Sequence, residues 1–147
     1  MVVQPAVNGA PPVIRIVAAV IRDAHGRTLL VRKRGAAVFQ QPGGKRDPDD
    51  AGDLATLARE LREELGCRLL PGSVRRLGRA SAPAANEAGY LVEAEVYEVA
   101  VDGTIAAQAE IAELAWVDPA APGDLPIATL SREHILPRLA APGPSGG

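Results

Sequence analysis

The stretch 43-GGKRDPDDAGDLATLARELREELGC-67 decides how the rest of the chain is read. Pro42, Gly43 and Gly44 stop a short extended run, and an acidic loop from Asp47 to Asp53 follows. Asp53 is a sensible N-cap and Gly66 a sensible C-terminal stop, so the spacing predicts a helix over Leu54 to Leu65. At about 100° per residue, Glu60, Glu63 and Glu64 fall on one face of that helix, beside an apolar stripe of Leu54, Ala58, Leu61 and Leu65. Three carboxylates on one face repel one another by a few tenths of a kcal/mol per pair. A hard divalent cation reverses that sign, and oxygen donors in this number suit Mg²⁺, with Mn²⁺ as a substitute. Such an ion is commonly shared with substrate phosphates. Gly43 and Gly44 can bring bare backbone close to it, Lys45 and Arg46 offer positive charge to phosphate oxygens, and Arg59 can orient a neighbouring carboxylate.

Outward from this stretch, Val13 to Arg22 and Thr28 to Arg32 read as two strands joined by the turn at Asp23 to Gly26, a hairpin. Phe39 to Gln41 reads as a short strand. Downstream, Val74 to Ala80, Tyr90 to Val101 and Ile111 to Val117 read as strands, and Ile127 to Leu139 as a helix starting near Ser131 and limited by Pro137. Strands interrupted by one capped helix predict an α+β fold, an α/β/α sandwich in which helices flank a mixed β-sheet, rather than a doubly wound sheet. The ends, 1–12 and 141–147, are rich in Pro, Gly and small residues and read as flexible tails around a domain spanning 13–140.

The whole chain agrees with this. Its 147 residues suit one domain, and 47% hydrophobic with 23% charged residues suits a globular one. A net charge of −2 argues against nucleic-acid polymers as partners. No secretory or membrane-spanning segment is legible, and the lone Cys67 forms no internal disulfide, so a cytoplasmic location is expected. Of the sixteen cationic residues only Lys33 and Lys45 are lysines, which reads as coding bias. Seven of the eighteen acidic residues fall between Asp47 and Glu64, so the small net charge conceals a local anionic cluster.

Gly44-x5-Asp50-x8-Arg59-Glu60-Leu61-x-Glu63-Glu64-x-Gly66-Cys67 resembles the Nudix box, G-x5-E-x7-R-E-U-x-E-E-x-G-U, where U is a bulky apolar residue. The R-E-L-x-E-E-x-G half matches in full. Two departures stand out: an aspartate, Asp50 or its neighbour Asp49, must serve for the first glutamate, and the spacer before Arg59 is one residue longer. The resemblance implies the Nudix fold and hydrolysis of a nucleotide's diphosphate linkage with Mg²⁺. It implies that Glu60, Glu63 and Glu64 hold the metal with the Gly43 carbonyl, that Arg59 orients Glu60, and that a box glutamate or Glu110 in a later loop is the general base, ahead of Glu113.

Gly44, Lys45, Phe39 and Asn86 are the candidate substrate contacts; Phe39 is one of only four aromatic residues, so base recognition must use few rings or none. His25 and His134 read as surface residues, and Cys67 and Trp116 as core. The acidic loop makes no calcium site, because the position of its bidentate glutamate is Ala58. The compact length favours a MutT-like enzyme acting on a (d)NTP or oxidised dNTP. Pro83, sixteen residues past Cys67, resembles the proline of ADP-ribose hydrolases and supports the alternative of ADP-ribose or another nucleoside diphosphate derivative. A non-catalytic nucleotide-binding regulator is the rival reading. The family occurs as monomers and homodimers.

Overall fold

A computed structural model describes residues 3–4, 10–85 and 87–140. In chain order the elements are β1 (Val3–Gln4), β2 (Val13–Val20), β3 (Thr28–Lys33), β4 (Gly43–Gly44), α1 (Asp53–Leu65), β5 (Arg68–Leu69), β6 (Arg75–Pro83), β7 (Leu91–Glu98), β8 (Val101–Asp102), β9 (Ile111–Val117), a π-helical segment (Leu130–Ile135) and α2 (Leu136–Ala140). The main sheet runs β1-β2-β7-β6, with β4 also on β2. β2 and β7 are parallel and the remaining pairs of the sheet antiparallel, so the sheet is mixed.

The alternation of β2 sends Val17 and Ala19 to one face and Ala18 and Val20 to the other. The first pair packs with Leu57, Leu61 and Leu65 of α1. The second packs with Leu130 and Ile135 of the C-terminal helix. Helices on both faces of a mixed sheet make the expected α+β sandwich. Spacing of four keeps Leu57, Leu61 and Leu65 on one stripe, and all three are fully buried. Leu54, in the first turn of α1, does not join that stripe and is 42% exposed.

Several local expectations are corrected. The hairpin exists only at its turn, where Arg22 bridges Thr28; β3 then leaves to pair with β9, because both edges of β2 are taken, by β7 on one side and β1 and β4 on the other. Gly43 and Gly44 do not merely stop a strand: they form one, opposite Ala18 and Val17. Within the segment expected as an N-terminal tail, Val3 and Gln4 pair with Ile14 and Val13; the C-terminal tail lies outside the described residues. Asp53 is not the N-cap but the first helical residue, and its carboxylate accepts hydrogen bonds from Tyr97 Oη (2.5 Å) and Arg46 Nη2 (2.8 Å).

Gly66 does end α1, at φ 70°, donating to Arg62 O. The C-terminal helix begins at Leu130, next to the expected start at Ser131, and opens as a π-helix in which Leu136 N–H reaches Ser131 O, five residues back. Pro137, which has no N–H to close an α-turn, sits just past this wider turn. Trp116, expected in the core, is 36% exposed beside Ile21, Val99 and Ile105. Cys67 is buried as expected. Among the described residues no helix is long and apolar enough to cross a membrane.

Candidate active site

The site begins with two glycines pressed between a strand and a helix. A Cβ on Gly43, at φ 139°, would collide with the Val17 carbonyl oxygen, so the close β2–β4 pairing demands glycine there. A Cβ on Gly44 would stand 2.7 Å from Glu60 Cδ, so the bare backbone of Gly44 is what lets the Glu60 carboxylate pack against the strand. Glu60 in turn accepts from Arg59 Nη1 at 2.6 Å.

Arg59 is held from the other side. Asp50 accepts from Arg59 Nη2 at 2.9 Å and from Nε at 3.3 Å, and Lys45 O accepts from Nη2 at 3.1 Å. Asp50 also accepts from Asp47 N–H (2.9 Å) and Thr56 Oγ1 (2.8 Å). The Arg59 hydrogen bonds, with those from Asp47 and Thr56, hold the Asp50 carboxyl well below the usual carboxylate range, and Asp50 with Glu60 raises the Arg59 guanidinium further. Asp50, not the exposed Asp49, is the aspartate that grips Arg59. The fork geometry of guanidinium against carboxylate fixes Arg59, and through it Glu60.

Glu64 stands one turn beyond Glu60, only 6% exposed, with the Gly43 N–H donating to its Oε1 at 3.4 Å. Burial, then its hydrogen bond to Glu60 and that residue's charge, push the Glu64 carboxyl up to about 8, against a smaller opposing pull from Lys33. Two carboxylates forced together in a dry place share a proton or accept a cation. Glu63 is set apart: its side chain is half exposed and approaches Arg59 Nη1 at 3.6 Å. The expected trio is thus a close pair with a third member at its rim. Among the described residues no three His, Cys, Asp or Glu side chains converge as a finished ligand set. What is present fits a hard dication: oxygen donors only, and two carboxylates packed together, Glu64 buried and Glu60 partly so, with Glu63 at their rim.

These acids border a cleft of about 430 Å³. Lys45, Lys33 and Glu110 line it too. Glu110 is presented by a loop laced to the end of α1, with Ala106 N–H donating to Leu65 O (3.0 Å) and Gln108 N–H to Glu64 O (2.9 Å). Ala109, beside it, has φ 52°, the one positive φ outside glycine among the described residues. Glu113 is turned away into an ion pair with Arg32 at 2.5 Å. Lys33 was not singled out from the sequence, although the signal was there: the only two lysines of the chain both line the acidic cleft.

Phe39 is not in the cleft. It is 5% exposed and packs with Leu30, Val117, Ile127 and Leu136, because its strand-like segment bridges Ile127 and turns the ring inward. Asn86 lies outside the described residues; its neighbour Glu87 lines the cleft. His25 donates its backbone N–H to Asp23 in the β2–β3 turn, and His134 is exposed, both away from the acids.

Comparison with known proteins agrees with this geometry. The family model of the NUDIX domain matches residues 12–139. The MutT protein of Methanosarcina mazei Go1 superposes with a TM-score of 0.71 at 26% identity, covering 90% of this chain and 96% of that one. The ORF135 protein of E. coli does so with a TM-score of 0.66 at 26% identity, covering 91% and 90%. A MutT NUDIX hydrolase from Burkholderia pseudomallei shares the fold with a TM-score of 0.71 at 23% identity, over 86% and 97%. No curated protein matches the chain. A family match over nearly the whole fold, on a chain whose Arg59 clamp and close glutamate pair stand at the box positions, makes this protein a member of the Nudix family of pyrophosphohydrolases.

Proposed function

We propose that the chain is a MutT-like enzyme that hydrolyses the diphosphate linkage of a nucleotide, a (d)NTP or an oxidised dNTP, with Mg²⁺, in the cytoplasm. The observation that carries the reading is the close Glu60–Glu64 pair, gripped through Arg59 and Asp50, on the wall of a cleft that also holds Lys33 and Lys45. Glu60, Glu63 and Glu64, with the Gly43 carbonyl, would hold the divalent cation. When bound, such an ion supplies positive charge to the phosphate oxygens as a Lewis acid.

The chain's own residues do the rest. Asp50 holds Arg59, and Arg59 holds Glu60, so the carboxylate is fixed before substrate arrives and no reorganisation is needed at the moment of reaction. Lys33 and Lys45 pair with the negative phosphate chain, and Gly44 lets it come close to the backbone. Glu110 takes the proton of the water that attacks phosphorus. Positioning and charge account for most of phosphoryl-transfer catalysis, and this cleft concentrates both.

Pro83 also lines the cleft, an observation that favours ADP-ribose or another nucleoside diphosphate derivative as the second reading. A panel of dNTPs, 8-oxo-dGTP, ADP-ribose and diadenosine polyphosphates, incubated with the full chain and Mg²⁺, tests both. Release of pyrophosphate from a triphosphate supports the first, preferential cleavage of ADP-ribose the second, and no cleavage of any member overturns both in favour of a non-catalytic regulator.

A further inference from the structure

Gln41 is the buried group that the phosphate chemistry leaves unused. The register that sets Gly44 opposite Val17 and Gly43 opposite Ala18 continues upstream. Pro42 O accepts from Ala19 N–H at 2.8 Å, and Gln41 Nε2 donates to Ala19 O at 3.1 Å. Three residues of extended chain carry Gln41 about 10 Å from Gly44, where Glu60 packs. Ala128 and Leu130 line the same cleft as Gln41.

The bond to Ala19 fixes the amide. With Nε2 committed there, Oε1 faces the other way, and it has no hydrogen-bond partner among the described residues although Gln41 is only 6% exposed. Buried polar oxygens nearly always have a donor. Gln41 lines the cleft, so a ligand lying in the cleft can supply the donor. None of the described lining residues is aromatic, so a base here is not oriented by stacking between rings and depends on directional hydrogen bonds.

We infer that Gln41 is a specificity-determining residue whose Oε1 accepts a hydrogen bond from an exocyclic amino group of the substrate's base. This rests on the nucleotide reading above and narrows it. A base that carries an amino group at the recognised edge, as cytosine and adenine do, gives Oε1 its donor. The oxo counterparts, uracil and hypoxanthine, set a carbonyl oxygen against it and leave both oxygens unsatisfied. Sites built around one buried hydrogen bond discriminate sharply against analogues that cannot make it.

The test compares kcat/KM for dCTP against dUTP and for dATP against dITP, in the wild-type chain and in Gln41→Met, which keeps the side chain's length and removes the acceptor. The wild type should favour the amino member of at least one pair by about tenfold or more, and Gln41→Met should bring that ratio close to one through a rise in KM for the amino member. Calorimetric binding of dCMP against dUMP and dAMP against dIMP to the wild type gives the same comparison if the variant fails to fold. Equal wild-type rates within both pairs, or a preference that survives in Gln41→Met, would overturn the inference alone. A merely structural role for Gln41 shifts both members of a pair together and leaves the ratio unchanged, which also overturns it. No turnover of the four alongside turnover of another member of the panel above would overturn the inference alone, and no turnover of any nucleotide, panel included, would overturn the nucleotide reading with it.

Discussion

Replacing Glu64 with Gln in the metal-free protein should abolish most of its pH-dependent loss of stability above pH 5. The folded chain holds the Glu64 proton up to about 8, whereas the unfolded chain releases it near the ordinary glutamate value of 4.5. Between those values the folded state binds more protons, so stability falls as pH rises. The contribution is complete below the unfolded value and is lost as pH climbs through the folded one. At about 1.4 kcal/mol per pH unit, the full loss is on the order of 5 kcal/mol, a large part of a small domain's total. Gln resembles the protonated acid: it is neutral, of the same length, and can still donate to Glu60. Urea denaturation in EDTA at pH 5, 7 and 9 reads this directly. The wild type should weaken by several kcal/mol across the series, and Glu64→Gln should stay nearly level and exceed the wild type at pH 9. Mg²⁺ should restore wild-type stability at pH 9 and do little for the variant. Parallel curves for the two proteins would mean that the proton resides elsewhere than on Glu64.

Asp50 contributes a limb of opposite sign. Held low by Arg59, it stabilises the fold above its unfolded value and loses that contribution in strong acid, so Asp50→Asn should flatten the acid limb of the same denaturation series. The same variant frees Arg59 from its clamp and should lower kcat by about tenfold or more with KM little changed, read by steady-state kinetics. Gly44→Ala should displace the Glu60 carboxylate and cost on the order of a hundredfold in turnover while thermal unfolding shows the fold intact. Phe39→Ala should cost about 3–5 kcal/mol of stability in urea melts, as loss of a buried aromatic does, and leave KM unaltered because the ring is outside the cleft.

The helix from the acidic loop to Gly66 was legible because three signals coincide there: an apolar stripe, a face of carboxylates and a terminal glycine. The strand Ile111–Val117 was legible in full because it is long, β-branched at its ends and bounded by polar turns. The two-residue strands β1, β4, β5 and β8 were not, since so short a segment has no period to read and exists only through its partner. The hairpin failed for a related reason: local turn chemistry at Asp23 to Gly26 is real, but one edge of β2 is taken by β7, nearly eighty positions away, and the other by β1 and β4. At the site, composition and spacing identified the carboxylates and Arg59 but not the direction of each side chain. Phe39 was drawn inward by Ile127 and Leu136, and Asp53 gave its carboxylate to Tyr97 rather than to the helix end. Lys33 is separated from the box by ten residues and reaches it only through the β3–β9 pairing beside Glu110.

The proposed chemistry depends on the carboxylate pair at Glu60 and Glu64 for cleavage of a phosphorylated substrate in the cleft. Turnover of the best nucleotide in saturating Mg²⁺, compared between the wild type and Glu64→Gln with circular dichroism matched, tests it most directly. A fall in kcat of about a hundredfold or more at unchanged fold is the predicted result. Undiminished Mg²⁺-dependent turnover in Glu64→Gln would contradict the account.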